Sequence, residues 1–153
     1  MKRILIALAT AGAFLLPAAP AVAQPQVSPD LGILILTAKG LGIKFKYDDP
    51  ACAANPRLMG FFTPNEGVVT ICFKNASKFG VSPLQVLRHE LIHAAQLCVG
   101  GPLLKRDYSS PVDLSADYPA DQHPTETEAR VLADELTELD VARTLAVACS
   151  NAT

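Results

Sequence analysis

This chain of 153 residues has no basic stripe, no CxxC pair and, beyond its first two dozen residues, no long apolar run. The missing basic stripe argues against nucleic acid as a partner. The missing CxxC argues against a zinc site built from four thiolates. The missing apolar run leaves nothing after the N-terminal stretch to span a bilayer, so no stable membrane insertion is expected once that stretch is removed. No internal repeat occurs. Only three histidines are present, so any imidazole chemistry has few places to sit.

The N-terminal stretch itself reads as a leader. Lys2 and Arg3 precede an apolar run from Ile4 to Leu16, Pro17 and Pro20 break it, and Ala21-Val22-Ala23 supplies small residues for cleavage. That layout is a secretory signal peptide over residues 1–23, exporting the chain through the Sec pathway to the periplasm or the medium. A single domain over residues 24–153 is expected to remain, 130 residues long, with 11 basic and 15 acidic residues. Cys52, Cys72, Cys98 and Cys149 all lie beyond the cleavage point. An even count in an exported domain implies disulfides. Of the three possible connectivities, Cys52–Cys72 would staple a β region and Cys98–Cys149 would join the ends of two helices.

Along the retained chain, Ser28-Pro29-Asp30 starts a first helix, with Leu31, Leu34, Ile35 and Ala38 at helical spacing and Gly40 and Gly42 at its end. Ile43, Phe45 and Tyr47 alternate with polar residues, as in a half-buried strand. Residues 49–57 read as a loop. Leu58–Phe62 and Val68–Phe73 flank turn residues at 63–67, which reads as a β-hairpin whose second strand runs on to Asn75. Ser82-Pro83-Leu84-Gln85 opens another helix, with Gln85 placed for a capping box, and Gly100-Gly101-Pro102 stops it. Four prolines mark residues 101–124 as a long loop. One last helix is expected from Thr125 to about Cys149, its inward stripe formed by Ala129, Leu132, Ala133, Leu136 and Leu139 or Asp140.

The second of these helices carries His89-Glu90-Leu91-Ile92-His93. Residues four apart share a helix face, one turn apart, so two imidazoles can converge on one cation without bending the backbone. Glu90 is rotated away from that direction and suits a general base acting on a water beside the metal. Zinc held by three protein groups acidifies a water in its fourth position. Metal-assisted hydrolysis follows as the expected chemistry, with Zn2+ as cofactor and Glu90 as the catalytic residue.

Two imidazoles call for a third protein ligand. The pattern with a third His six residues on is excluded by Val99, Gln96 stands where that pattern needs Gly, and no Met follows Met59. Glu126 and Glu128 are the candidates, and they cannot both face the metal. Glu126 continues the inward stripe of the last helix. Glu128 is the alternate, and it is also placed to close a capping box with Thr125. Arg130, four residues after Glu126, is placed to orient it. His123 and Tyr118 are candidate stabilisers of charge in the transition state, as is Tyr108. Arg88 reads as a solvated charge or an ion-pair partner.

Val86-Leu-Arg-His-Glu-Leu-Ile-His-Ala94, followed by Glu126-Thr-Glu-Ala129, resembles the zincin metallopeptidases of the gluzincin type. There a Glu on a downstream helix, three residues before an Ala, is the third ligand, which corresponds to Glu126. Many of those families follow that Ala with Asp or Asn, where this chain has Arg130. The run from the strand ending in Cys72, through Asn75, to Cys98 is also similar to the mitochondrial peptidase family that matures an ATP synthase subunit. Gln96 stands where that family carries Asp. The resemblance implies a secreted or periplasmic metallopeptidase acting on a peptide or protein substrate. It also implies that Val68–Ile71 forms a sheet edge to which extended substrate adds. The expected fold is α+β, with a small, mostly antiparallel sheet packed on the HExxH helix and a C-terminal helix completing the metal site. A zinc amidase acting on cell-wall material and a non-catalytic zinc-binding module are the alternatives.

Overall fold

The computed structural model describes residues 28–104 and 119–150, which excludes the leader-like residues 1–23. Helix α1 (Pro29–Gly40) starts where Ser28 Oγ accepts from the Leu31 N–H at 3.2 Å. It buries Leu34 and Ala38 completely. Gly42, at φ 82°, turns the chain into β1 (Lys44–Tyr47). Lys44 and Lys46 are exposed and Phe45 is half-buried. A short helix, α2 (Pro50–Ala54), then forms where a loop was expected. Asp49 caps it by accepting from the Ala51 N–H at 3.0 Å, and Pro50 pre-sets its first turn.

Strands β2 (Gly60–Thr63) and β3 (Val68–Ile71) form the expected hairpin, antiparallel, with Gly60 opposite Ile71. A 3-10 turn over Pro64–Glu66 and a left-handed Gly67 connect them. β3 is shorter than expected. The chain leaves the sheet at Ile71, and helix α3 (Phe73–Lys78) comes next. Asn75 is thereby freed from any strand. Its Nδ2 donates to the carbonyls of Cys52 (2.8 Å), Asn55 (3.1 Å) and Leu58 (2.8 Å), cross-linking the segment that leads into β2.

The sheet order is β1-β3-β2. β1 runs parallel to β3 and β2 antiparallel to it, so the sheet is mixed rather than mostly antiparallel. β3 is the central strand and is buried along its whole length. This overturns the expectation that Val68–Ile71 forms an edge. The reason lies in composition: a continuous Val-Val-Thr-Ile run has no polar side to show to water, whereas β1 alternates lysine with aromatics and tolerates an edge.

Helix α4 (Pro83–Val99) packs against β2 and β3. Ser82 Oγ accepts from the Leu84 N–H at 3.3 Å, and Gly100 ends the helix at φ 74°. Gln85 does not close a capping box; it bonds to Asp134 on the following helix. The long C-terminal helix is in fact two, α5 (His123–Glu135) and α6 (Glu138–Ser150). Leu136 is extended, and Thr137 Oγ1 accepts from the Asp140 N–H at 3.2 Å, which restarts the helix. Thr137-Glu138-Leu139-Asp140 is a start signal inside what read as one periodic stripe. The break lets α5 lie on α4 at the His-bearing turn while α6 packs on both α1 and α4. Leu91, Ile92, Ala129, Val141 and Leu145 meet in the resulting core.

Both expected disulfides form, Cys52–Cys72 and Cys98–Cys149. The second ties the end of α4 to the end of α6. Two disulfides fit an oxidising or extracellular compartment. No helix among the described residues is long and apolar enough to cross a membrane.

Candidate metal centre

Helix periodicity brings His89 and His93 to one face of α4, their rings edge to face with centroids 4.6 Å apart. Their Nε2 atoms are 3.0 Å apart. Across from them, α5 presents Glu126, whose Oε2 lies 3.2 Å from His93 Nε2 and whose Oε1 lies 3.5 Å from His89 Nε2. These three side chains could hold a metal ion. The separations bracket the roughly 3.3 Å edge of a tetrahedron with zinc-type bond lengths. Three electron-rich atoms this close also repel one another unless a cation, either a proton or a metal, sits among them.

The electrostatics agree. Burial opposes ionisation of Glu126, but hydrogen bonds and attraction from His89 and His93 outweigh it and hold the carboxyl well below the usual carboxylate range. Burial pulls the His93 imidazole down, yet the hydrogen bonds to Glu126 and Gln96 and the charges of Glu90 and Glu126 together outweigh it, and the net shift is upward. Arg130 Nε donates to Glu126 Oε1 at 2.8 Å, the orienting contact expected from its i+4 position.

Glu90 is not among these three residues. It is buried beside them, under β2. Burial is the main cause raising its pKa. His89 and His93 pull it back, Glu126 pushes it further up, and the Phe62 backbone N–H, which donates to it, lowers it. Gly60 makes this placement possible. A Cβ there would stand 2.5 Å from Val86 Cγ1, 2.9 Å from the Thr70 carbonyl oxygen and 3.2 Å from Glu90 Oε1. A glycine inside an apolar strand pattern signals such a close approach, and sequence reasoning passed over it.

Glu128 is two residues from Glu126 and points elsewhere. It is completely buried, and its oxygens accept from the backbone N–H groups of Leu103 (2.6 Å) and Leu104 (2.7 Å) and from Gln96 Nε2 (2.9 Å). It forms no capping box with Thr125, because α5 begins earlier, at His123. Thr125 Oγ1 instead donates to the Gln122 carbonyl. His123, at the start of α5, lines neither cavity at the site. Tyr108 and Tyr118 fall outside the described residues. Arg88 is an ion-pair partner, 3.0 Å from Glu138.

Two cavities of about 360 and 350 Å³ flank the centre and share His89, Glu90, Glu126, Leu58 and Gly60. The first extends past Met59, Val81 and Val86, the second past Phe61, Phe62 and Thr125. β2 lines both, through Gly60 in the first and Gly60, Phe61 and Phe62 in the second, and among the described residues it pairs with β3 alone. The Cys72 N–H donates to the Met59 carbonyl, which sets the ladder so that Phe61 bonds to β3 while the backbone groups of Gly60 and Phe62 face outward. The free edge at the site is therefore that of β2. No protein family, no characterised protein and no solved structure matches this chain.

Proposed function

We propose that the chain is an exported, zinc-dependent peptidase that cleaves peptide bonds in extended segments laid along β2. One observation carries this reading: a buried carboxylate of raised pKa, Glu90, adjoins a two-histidine, one-carboxylate group but stands outside it. A module that only stores metal has no use for a desolvated base at that place.

His89, His93 and Glu126 would hold the ion, and Arg130 keeps Glu126 aimed at it. Zinc in such a site acidifies water and polarises a carbonyl oxygen. Glu90 would take the proton from water as its oxygen adds to the carbonyl carbon, and would then deliver that proton to the leaving nitrogen as the C–N bond breaks. Burial disfavours its charged form, which strengthens its hold on a proton. The outward N–H and carbonyl of Gly60 and the outward carbonyl of Phe62 align the substrate backbone, the Phe62 N–H being held by Glu90, and the two cavities at the centre receive side chains next to the scissile bond. The two disulfides support export, since they persist only outside reducing compartments.

The test is hydrolysis of a mixed peptide library by zinc-loaded wild type and by Glu90→Gln, with zinc content measured for each. Loss of cleavage by about 10²-fold or more, with zinc retained, is the expected result. A wild type that holds zinc and cleaves nothing would replace the peptidase reading with that of a binding module.

A further inference from the structure

The Gln96 side chain is buried, and its surroundings permit one orientation of the amide. Its Nε2 donates to the Thr125 carbonyl at 2.9 Å and to Glu128 Oε2 at 2.9 Å. A carbonyl can only accept, and the Glu128 carboxylate is itself surrounded by donors, the N–H groups of Leu103 and Leu104. The amide nitrogen must therefore lie on the Thr125 and Glu128 side. Its oxygen lies on the other side, 2.8 Å from His93 Nδ1. An amide oxygen has no hydrogen to give, so the hydrogen in that bond belongs to Nδ1. In a neutral imidazole this leaves Nε2 as a bare lone pair, and Nε2 is the atom that faces His89 and Glu126.

We propose that Gln96 and Glu128 form a positioning relay that locks His93 in the one tautomer and ring orientation able to present Nε2 to a cation. The proposal rests on the metal-centre reading and adds a role for two residues that never touch the ion. Glu128 is the fixed end, anchored by the backbone of residues 103–104 as α4 leads away. Gln96 is the link, three residues after His93 on the same helix. Other side chains fit poorly in its place. A glutamate would set its carboxylate against the Thr125 carbonyl and Glu128, and a leucine would remove the side-chain donor that the two share, leaving Glu128 only the N–H groups of Leu103 and Leu104.

Two measurements decide the matter. In metal-free wild type, at a pH where His93 is neutral, two-bond ¹H–¹⁵N NMR reads the tautomer directly. The expected result is a protonated Nδ1 and a bare Nε2; a predominantly protonated Nε2 overturns the proposal, and this reading needs no variant to fold. Chelator competition then gives the zinc Kd of wild type, Gln96→Leu, Glu128→Gln and the double variant, with circular dichroism confirming the fold of each. Each single change is expected to weaken zinc binding about 10–100-fold. The double variant should lose little more than the weaker-binding single variant, because both act through one chain. A folded Gln96→Leu that binds zinc like wild type, or losses that simply multiply, would overturn the relay. A wild type with the expected tautomer that binds no divalent ion would support the relay and refute the peptidase reading.

Discussion

Replacing Gly60 with alanine adds one methyl group at the most crowded point of the site. Gly60 lies outside the positive-φ region, so its backbone suits alanine and only space is at issue. The new Cβ would sit 2.5 Å from Val86 Cγ1 and 2.9 Å from the Thr70 carbonyl oxygen. Comfortable carbon contacts begin near 3.5 Å, so about 1 Å must be found. Thr70 cannot retreat, because β3 is held by strands on both sides. Val86 is β-branched on a helix and has essentially one rotamer. β2 must therefore lift from α4. Overpacking of this kind costs about 1–3 kcal/mol, or several degrees in Tm. The same shift moves the Phe62 N–H and crowds Glu90, whose Oε1 would be 3.2 Å from the added carbon. A misplacement near 1 Å in a catalytic group can cost about 10²-fold in rate. The assay combines a thermal melt, a zinc titration and peptide hydrolysis. Stability and cleavage should both fall while zinc affinity stays near that of wild type, since the three ligands are on α4 and α5. A variant with unchanged Tm and unchanged cleavage would refute the claim that Gly60 is required by space.

Glu90→Gln should raise the Tm of the metal-free protein at neutral pH while abolishing cleavage, because burial has raised the carboxyl's pKa and its charge opposes folding; an unchanged or lower Tm would show that Glu90 is not a strained charge. Metal-free stability should decline as the pH rises. The His93 pKa is raised in the fold, so the contribution of its protonated pairing with Glu126 is complete below the unfolded value of 6.5 and lost as the pH climbs through the folded one. Zinc competes with that proton, so the increment in Tm from added zinc should instead grow over the same range; parallel melts with and without zinc check both signs. Glu126→Ala should lose zinc, whereas Glu128→Ala should keep the three ligands and bind more weakly, as equilibrium dialysis would show. Opening Cys98–Cys149, which spans 51 residues, should cost ~4 kcal/mol, and opening Cys52–Cys72, which spans 20, ~3 kcal/mol, on loop entropy alone. Urea unfolding with and without reductant measures the two losses, with serine variants to separate them.

Much of the candidate centre is legible in the sequence alone. The i, i+4 spacing of His89 and His93 follows from helix geometry alone, and Ser82, Pro83 and Gly100 mark where that helix begins and ends. Residues two apart cannot share a helix face, so only one of Glu126 and Glu128 can join the histidines, and Glu126 is the one that continues the inward stripe of Ala129 and Ala133. The hairpin and both disulfide pairings were also within reach, since they depend on turn residues and on which elements end near one another. Other features were not, because they depend on partners distant in sequence. The parallel pairing of β1 with β3 joins strands that are not neighbours in the chain, and it moved the free edge from β3 to β2. The break at Leu136–Thr137 was written in a capping signal but masked by an unbroken apolar stripe.

Local pattern thus determined the make-up of the candidate centre: two imidazoles and a carboxylate, Glu90, on one helix, and the carboxylate of Glu126 on another. Tertiary structure decided the environment that gives those groups their properties. It desolvated Glu90 beneath a glycine, and it turned Glu128 from a rival ligand into the anchor of Gln96. Periodicity is a property of neighbouring residues and can be read along the chain. Desolvation and hydrogen-bond direction are properties of what folds against them, and in this site those partners lie on β2, on α5 and at residues 103–104.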